Sequence, residues 1–125
     1  MKSIALLSSV VLFAVAAALA PTLASADDTC GSKANPCPLQ KWMQDNIGSK
    51  MVDNNLAAVA TSLDKLATMT PDPTWTDWAK FAKDGATAAR QGGDAGTLGA
   101  KASCKSCHDK FKSDYKTKFR TRPVP

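Results

Sequence analysis

The chain is 125 residues long, with 16 lysines and arginines, 11 aspartates and a formal net charge of +5. A chain of this length forms one small domain, and its hydrophobic core is marginal in size. It contains one histidine and no glutamate, so it lacks the paired acid and base groups on which many enzymes depend. The composition therefore argues against an enzyme.

The first 26 residues have the three parts of a secretory signal. Lys2 supplies the positive charge, residues 4–20 are an apolar run, and Ala24-Ser25-Ala26 is a small-x-small cleavage site. The run is shorter than the about 20 apolar residues of a spanning helix, which favours cleavage over a retained membrane anchor. No later stretch is apolar enough to cross a bilayer. We expect residues 1–26 to be a cleaved signal peptide and residues 27–125 to be one soluble domain outside the cytoplasm.

The first pair of cysteines, Cys30 and Cys37, lies near the start of the mature chain. The segment between them contains glycine, asparagine and proline and is too polar to order itself. In the oxidising compartment that a signal peptide implies, a disulfide between the two is the expected state. Two free thiols are the alternative.

Helical periodicity begins directly after this loop. Pro38 suits the first turn of a helix, and apolar residues then recur at helical spacing as far as Ile47. Gly48 and the Asp-Asn-Asn at 53–55 weaken the run. A second apolar stripe follows over residues 56–67, and we expect Asn54 to cap it.

A third helix follows a clear stop at Thr-Pro-Asp-Pro, residues 70–73. Thr74 and Asp77 have the spacing of a capping box, with aspartate in the usual glutamate position. The inner face carries small residues that leave room for a bulky group or for another helix: Ala79, Ala82, Gly85, Ala86 and Ala89. Gly92-Gly93 ends this helix, and the last one begins near residues 94–97. Strand-like alternation is absent, so the sequence predicts an all-α protein whose short links favour a four-helix up-down bundle.

The last predicted helix carries Cys104-Lys105-Ser106-Cys107-His108. C-x-x-C-H is the pattern that attaches haem covalently. Three residues separate the thiols, close to one helical turn, so both sulfurs lie on one face and can add to the two porphyrin vinyl groups. We predict one covalent haem c held by Cys104 and Cys107, with His108 as the proximal axial ligand. A structural zinc site formed by the four cysteines is the alternative without haem.

On this motif, the sequence resembles the class II c-type cytochromes, the cytochrome c′ group. The match is specific over residues 104–112, where Phe111 and Lys112 agree in kind with the aromatic and basic residues that follow the motif in that family. The resemblance implies a four-helix bundle with haem on the C-terminal helix. The chain is shorter than typical members, which leaves the family's homodimer open, and the cysteine pair at 30 and 37 is not a general family feature.

The sixth coordination position of the iron decides the function. His108 is the only histidine, so the strong candidates are the methionines Met43, Met51 and Met69. In the family that the chain resembles, members with a methionine ligand on the first helix are low-spin electron carriers. Members with an apolar residue there are five-coordinate and bind nitric oxide or carbon monoxide. Met43 lies early on the first helix and is our candidate sixth ligand, with a plain core methionine as the alternative.

Together these features predict a periplasmic one-electron carrier, with a five-coordinate binder of NO or CO as the alternative. From Lys101 onward, eight lysines and arginines stand against Asp109 and Asp114. This basic segment indicates a redox partner with an acidic docking surface; an ordinary solvated helix face is the other interpretation. Nucleic acid is a poor fit to an exported haem protein.

Overall fold

A computed structural model describes residues 30–101 and 104–124, apart from the side chains at 100 and 101. The expected signal peptide lies outside these ranges. Every regular element within them is a helix, which confirms the all-α class: α1 (Pro38–Met43), a π-helical segment (Gln44–Gly48), α2 (Ser49–Val52), α3 (Leu56–Ala67), α4 (Trp78–Arg90), α5 (Ala95–Lys101) and α6 (Cys104–Lys118). None of the helices in this part of the chain has the length and apolarity needed to cross a membrane.

The first three elements form one continuous helical stretch over residues 38–52. Pro38 occupies its first turn, where a missing N–H is harmless. Gly48 does not interrupt it, because the backbone keeps right-handed helical angles from Met43 through the π-helical segment into α2. The sequence signal at Gly48 therefore marks a change of helical winding rather than a break.

Two adjacent asparagines turn the chain from α2 into α3. Asn54 adopts a left-handed φ of 53°, which asparagine tolerates better than most residues, and its Oδ1 accepts a hydrogen bond from the Ala95 amide (3.0 Å). The actual cap is Asn55, whose Oδ1 accepts from the amide of Ala58 (3.1 Å). The prediction of Asn54 as the cap was wrong by one residue. Asn54 instead connects this turn to the first residue of α5.

The entry to α4 also differs from the expectation. Oδ1 of Asp72 accepts hydrogen bonds from the amide (2.8 Å) and the hydroxyl (2.7 Å) of Thr74, and α4 begins only at Trp78. Asp77 forms no side-chain cap, because its carboxylate pairs with Lys110 of α6. The capping box predicted from Thr74 and Asp77 was therefore wrong. The exit is as expected, with left-handed φ angles of 84° and 114° in the Gly92-Gly93 pair.

The most extensive helix pairing among the described residues is that of α3 with α4. Val59 of α3 and Ala86 of α4 are almost fully buried in one core cluster, and Nε1 of Trp78 donates to the carbonyl of Leu66 across the pair (2.9 Å). The sequence leaves open whether the small residues of α4 make room for a bulky group or for another helix. In the structure they pack against α3.

The other helices flank this pair. The π-helical segment and α2 pack on α3, whereas α5 and α6 pack on α4. The chain beyond α6 returns to the beginning of the described structure, since Arg120 donates to the backbone carbonyl of Cys30 and Arg122 to that of Pro71. These contacts fix the end of α6 against the N-terminal loop and the α3–α4 link.

Candidate haem-attachment site

Cys104 begins α6, and Cys107 and His108 lie in its first two turns. Both cysteines are half-buried and pack against the core, and neither is in a disulfide. His108 is exposed. At about 100° per residue, its side chain lies about 40° around the helix from Cys104. The two thiols therefore lie on the inner side of α6 and the imidazole at the edge of that side.

The protonation states of these groups follow from their surroundings. Burial, with a smaller contribution from Cys104, raises the pKa of the Cys107 thiol to about 11, and burial also raises the pKa of Cys104. Partial burial of the His108 ring, and then the positive charge of Lys112, lower the pKa of the imidazole. At neutral pH the thiols are protonated and the imidazole is neutral, which is the form that binds a metal.

Phe111, one turn after Cys107, anchors this part of α6. Its side chain is 4% exposed. Its ring stacks on Trp75 with centroids 4.8 Å apart and contacts Trp78 at 5.6 Å and Phe81 at 6.0 Å. Because Trp78 and Phe81 belong to α4, this aromatic cluster fixes the motif-bearing helix against α4.

The side-chain chemistry of Cys104, Cys107 and His108 fits a covalently attached haem. Two unpaired thiols lie three residues apart on one helix face, and a neutral imidazole follows them. The two best-formed cavities among the described residues measure about 170 and 140 Å³, below the about 300 Å³ at which small-molecule pockets begin. Neither is lined by Cys104, Cys107 or His108. A haem held by Cys104, Cys107 and His108 would therefore not be bound in either of these cavities.

The first helical stretch approaches the last two helices at two places. Near its start, Leu39 lines the smaller cavity together with Tyr115 of α6. Near its end, the methyl carbon of Met51 lies beside Gly99 of α5, 4.0 Å from the place that a β-carbon would take at this glycine.

The three candidate methionines lie in different parts of the fold. Met43 immediately precedes the π-helical segment, is half-buried and packs against the core. Met51 lies beside α5, the helix that precedes the C-x-x-C-H motif in the sequence. Met69 is buried and lines the smaller cavity with Tyr115, which lies about 10 Å from His108 along the axis of α6. No described contact joins any of the three methionines to His108.

The remaining cysteines form a disulfide, Cys30–Cys37, and both are buried. Their sulfurs are therefore not available to a metal, which makes the four-cysteine zinc alternative wrong. Within residues 30–101 and 104–124, no three side chains of the metal-binding types gather at one place.

The roles of Arg120 and Arg122 are not evident from any sequence pattern, which shows them only as part of a basic run. In the structure, each guanidinium donates a hydrogen bond to a backbone carbonyl. Arg120 and its partner Cys30 are 90 residues apart, and no local pattern marks a contact over such a separation.

No protein-family profile, curated protein or solved structure matches this chain. The case for a function therefore rests on the motif and on the side chains around it.

Proposed function

We propose that this chain is a periplasmic c-type cytochrome that carries one electron on a single covalently attached haem. The observation that carries the proposal is the C-x-x-C-H motif on α6, with half-buried, unpaired Cys104 and Cys107 and a neutral, accessible His108. When bound, the haem supplies an iron that alternates between the ferrous and ferric states. No other group of described residues offers comparable chemistry.

The chain's own residues hold and orient that group. Cys104 and Cys107 form the two covalent links, and His108 binds the iron through a ring nitrogen. Phe111 and the α4 aromatic rings hold α6 in one position. A rigid attachment limits the rearrangement that accompanies electron transfer, and the apolar surroundings tune the potential.

We also infer that the helices close into an up-down four-helix bundle. Its members are the stretch at 38–52, α3, α4, and α5 with α6. Each of the first three packs on its successor in sequence. Leu39 of the first member and Tyr115 of the last line one cavity, and the methyl carbon of Met51 lies beside Gly99 of α5. Short links between antiparallel neighbours are typical of this architecture.

Covalent attachment is tested by producing the full chain, with its signal, in a bacterium that has haem-attachment machinery. The mature protein should retain one haem after denaturation, as measured by intact mass and by the pyridine haemochrome spectrum. The double variant Cys104→Ser, Cys107→Ser should mature without haem, whereas the double variant Cys30→Ser, Cys37→Ser should retain it. Wild-type protein that matures without haem would overturn the proposal.

The sixth ligand decides between the electron carrier and the gas binder. With Met43 as ligand, the oxidised protein is low-spin with a weak long-wavelength sulfur-to-iron band, and the reduced protein does not respond quickly to carbon monoxide. Met43→Leu should abolish that band and lower the potential, while the matched variant Met51→Leu should leave both unchanged. Immediate carbon monoxide binding by the wild type would favour the five-coordinate NO or CO binder.

A further inference from the structure

The basic C-terminal segment is not one uniform surface. Arg120 and Arg122 are engaged with the carbonyls of Cys30 and Pro71. Their guanidinium groups therefore serve the fold, and they are not free to receive a partner. The cations that remain for recognition are the lysines of α6.

One side of α6 is electrically balanced. Lys110 pairs with Asp77 of the α4 entry, and its Nζ also lies 5.6 Å from the Phe111 ring centroid. Lys118 lies 3.6 Å from a carboxylate oxygen of Asp114. At about 100° per residue, Lys110 and Asp114 lie on the side of the helix away from His108, and Lys118 lies about 80° from His108 in the direction opposite to Lys116. Each of these two lysines has a carboxylate beside it.

The side that bears His108 is not balanced. Lys105, Lys112 and Lys116 follow His108 within an arc of about 80°, and all three are exposed. Asp109 is the one acid of α6 on this side, and it pairs with Lys105. Lys112 and Lys116 have no ion-pair partner among the described residues.

The fold does not explain this pair of lysines. Elsewhere, residues four apart on a helix combine opposite charges, as in Lys41 with Asp45 and Lys80 with Asp84. Lys112 and Lys116 are also four apart, but they repel each other, which weakens a helix. An external negative charge would relieve that repulsion.

We infer that Lys112 and Lys116 form the docking face for an acidic redox protein; this inference rests on the proposed function. Lys112 is one turn beyond His108, so their β-carbons are neighbours on the helix surface. A partner held by the two lysines therefore lies against the haem-bearing edge of α6. Attraction of this kind acts mainly on the association rate and weakens as salt increases.

The docking face can be located with hexacyanochromate(III), a redox-inert, paramagnetic trianion. In the reduced, haem-loaded, ¹⁵N-labelled protein, it should broaden the amide signals around Lys112 and Lys116 most strongly. The double variant Lys112→Gln, Lys116→Gln should lose this broadening. The double variant Lys110→Gln, Lys118→Gln removes the same charge from the balanced side and should keep it. Equal losses in the two variants, or broadening centred elsewhere, would overturn the inference.

Electron transfer provides the second measurement. Oxidation of the reduced protein by ferricyanide at low salt should slow about three- to tenfold in Lys112→Gln, Lys116→Gln and by much less in the control pair. The rates should converge at high salt, where screening is strong. A protein that matures without haem would overturn both proposals. Haem-loaded protein with equal rates in the two double variants would overturn the docking face alone.

Discussion

Replacing Phe111 with alanine should remove the main anchor of α6. The side chain is 4% exposed, and its ring contacts Trp75, Trp78 and Phe81 at centroid distances of 4.8 to 6.0 Å. Truncation of a buried phenylalanine costs about 3–5 kcal/mol. Small domains have unfolding free energies of about 5–15 kcal/mol. The variant should therefore lose a large part of its stability while α3 and α4 keep their own contact.

The assay is urea unfolding of the haem-loaded protein, followed by far-ultraviolet circular dichroism. Phe119→Ala is the matched control, because Phe119 is only half-buried and meets Trp75 by its edge at 5.4 Å. We expect that control to cost about 1–2 kcal/mol. If Phe111→Ala cost no more than Phe119→Ala, the aromatic cluster would not be what holds the motif-bearing helix.

Two further predictions concern the N-terminal loop and the α3–α4 link. Replacing both Cys30 and Cys37 with alanine should lower the unfolding free energy by roughly 2–2.5 kcal/mol, because the short loop that they close no longer restricts the unfolded chain; a urea midpoint equal to that of the wild type would contradict this. Asp72→Asn tests a charge. The hydrogen bonds from Thr74 lower the pKa of Asp72 below 3.8, so its carboxylate stabilises the fold above that pH, and the contribution is lost as the pH falls through the folded-state pKa. The midpoint difference between wild type and Asp72→Asn should be present at pH 7 and should diminish as the pH falls below 3.8; an undiminished difference at low pH would mean that the charge is not responsible.

Local patterns predicted the helices well and their caps poorly. The apolar stripe that became α3 and the stop at Gly92-Gly93 need only neighbouring residues. The choice between Asn54 and Asn55 as a cap depends on the Ala95 amide, which competes for the side chain of Asn54. Asp77 was likewise assigned to a cap when its partner was Lys110. In both cases a group distant in the sequence engages the side chain that the local pattern assigns to a cap.

The candidate site, too, could be predicted from the sequence only in part. The motif at 104–108 is contiguous, so its chemistry can be recognised without any tertiary structure. The level of Met43 relative to His108 depends on how far the first helical stretch is shifted along α5 and α6, which the sequence does not encode locally. The division of the α6 lysines into a balanced and an unbalanced side also required Asp77, which comes from another element.

The hydrogen bond from Arg120 to the carbonyl of Cys30 brings the two ends of the described chain together. Neighbouring ends are the condition for circular permutation, and exposed loops are where a chain tolerates a new opening. A short linker from residue 124 to residue 30, with the opening between Gly92 and Gly93, leaves every described helix uncut. In the permuted chain the C-x-x-C-H segment stands near the beginning instead of the end. Its position in the sequence is therefore a matter of connectivity, which can be changed without altering how the helices pack.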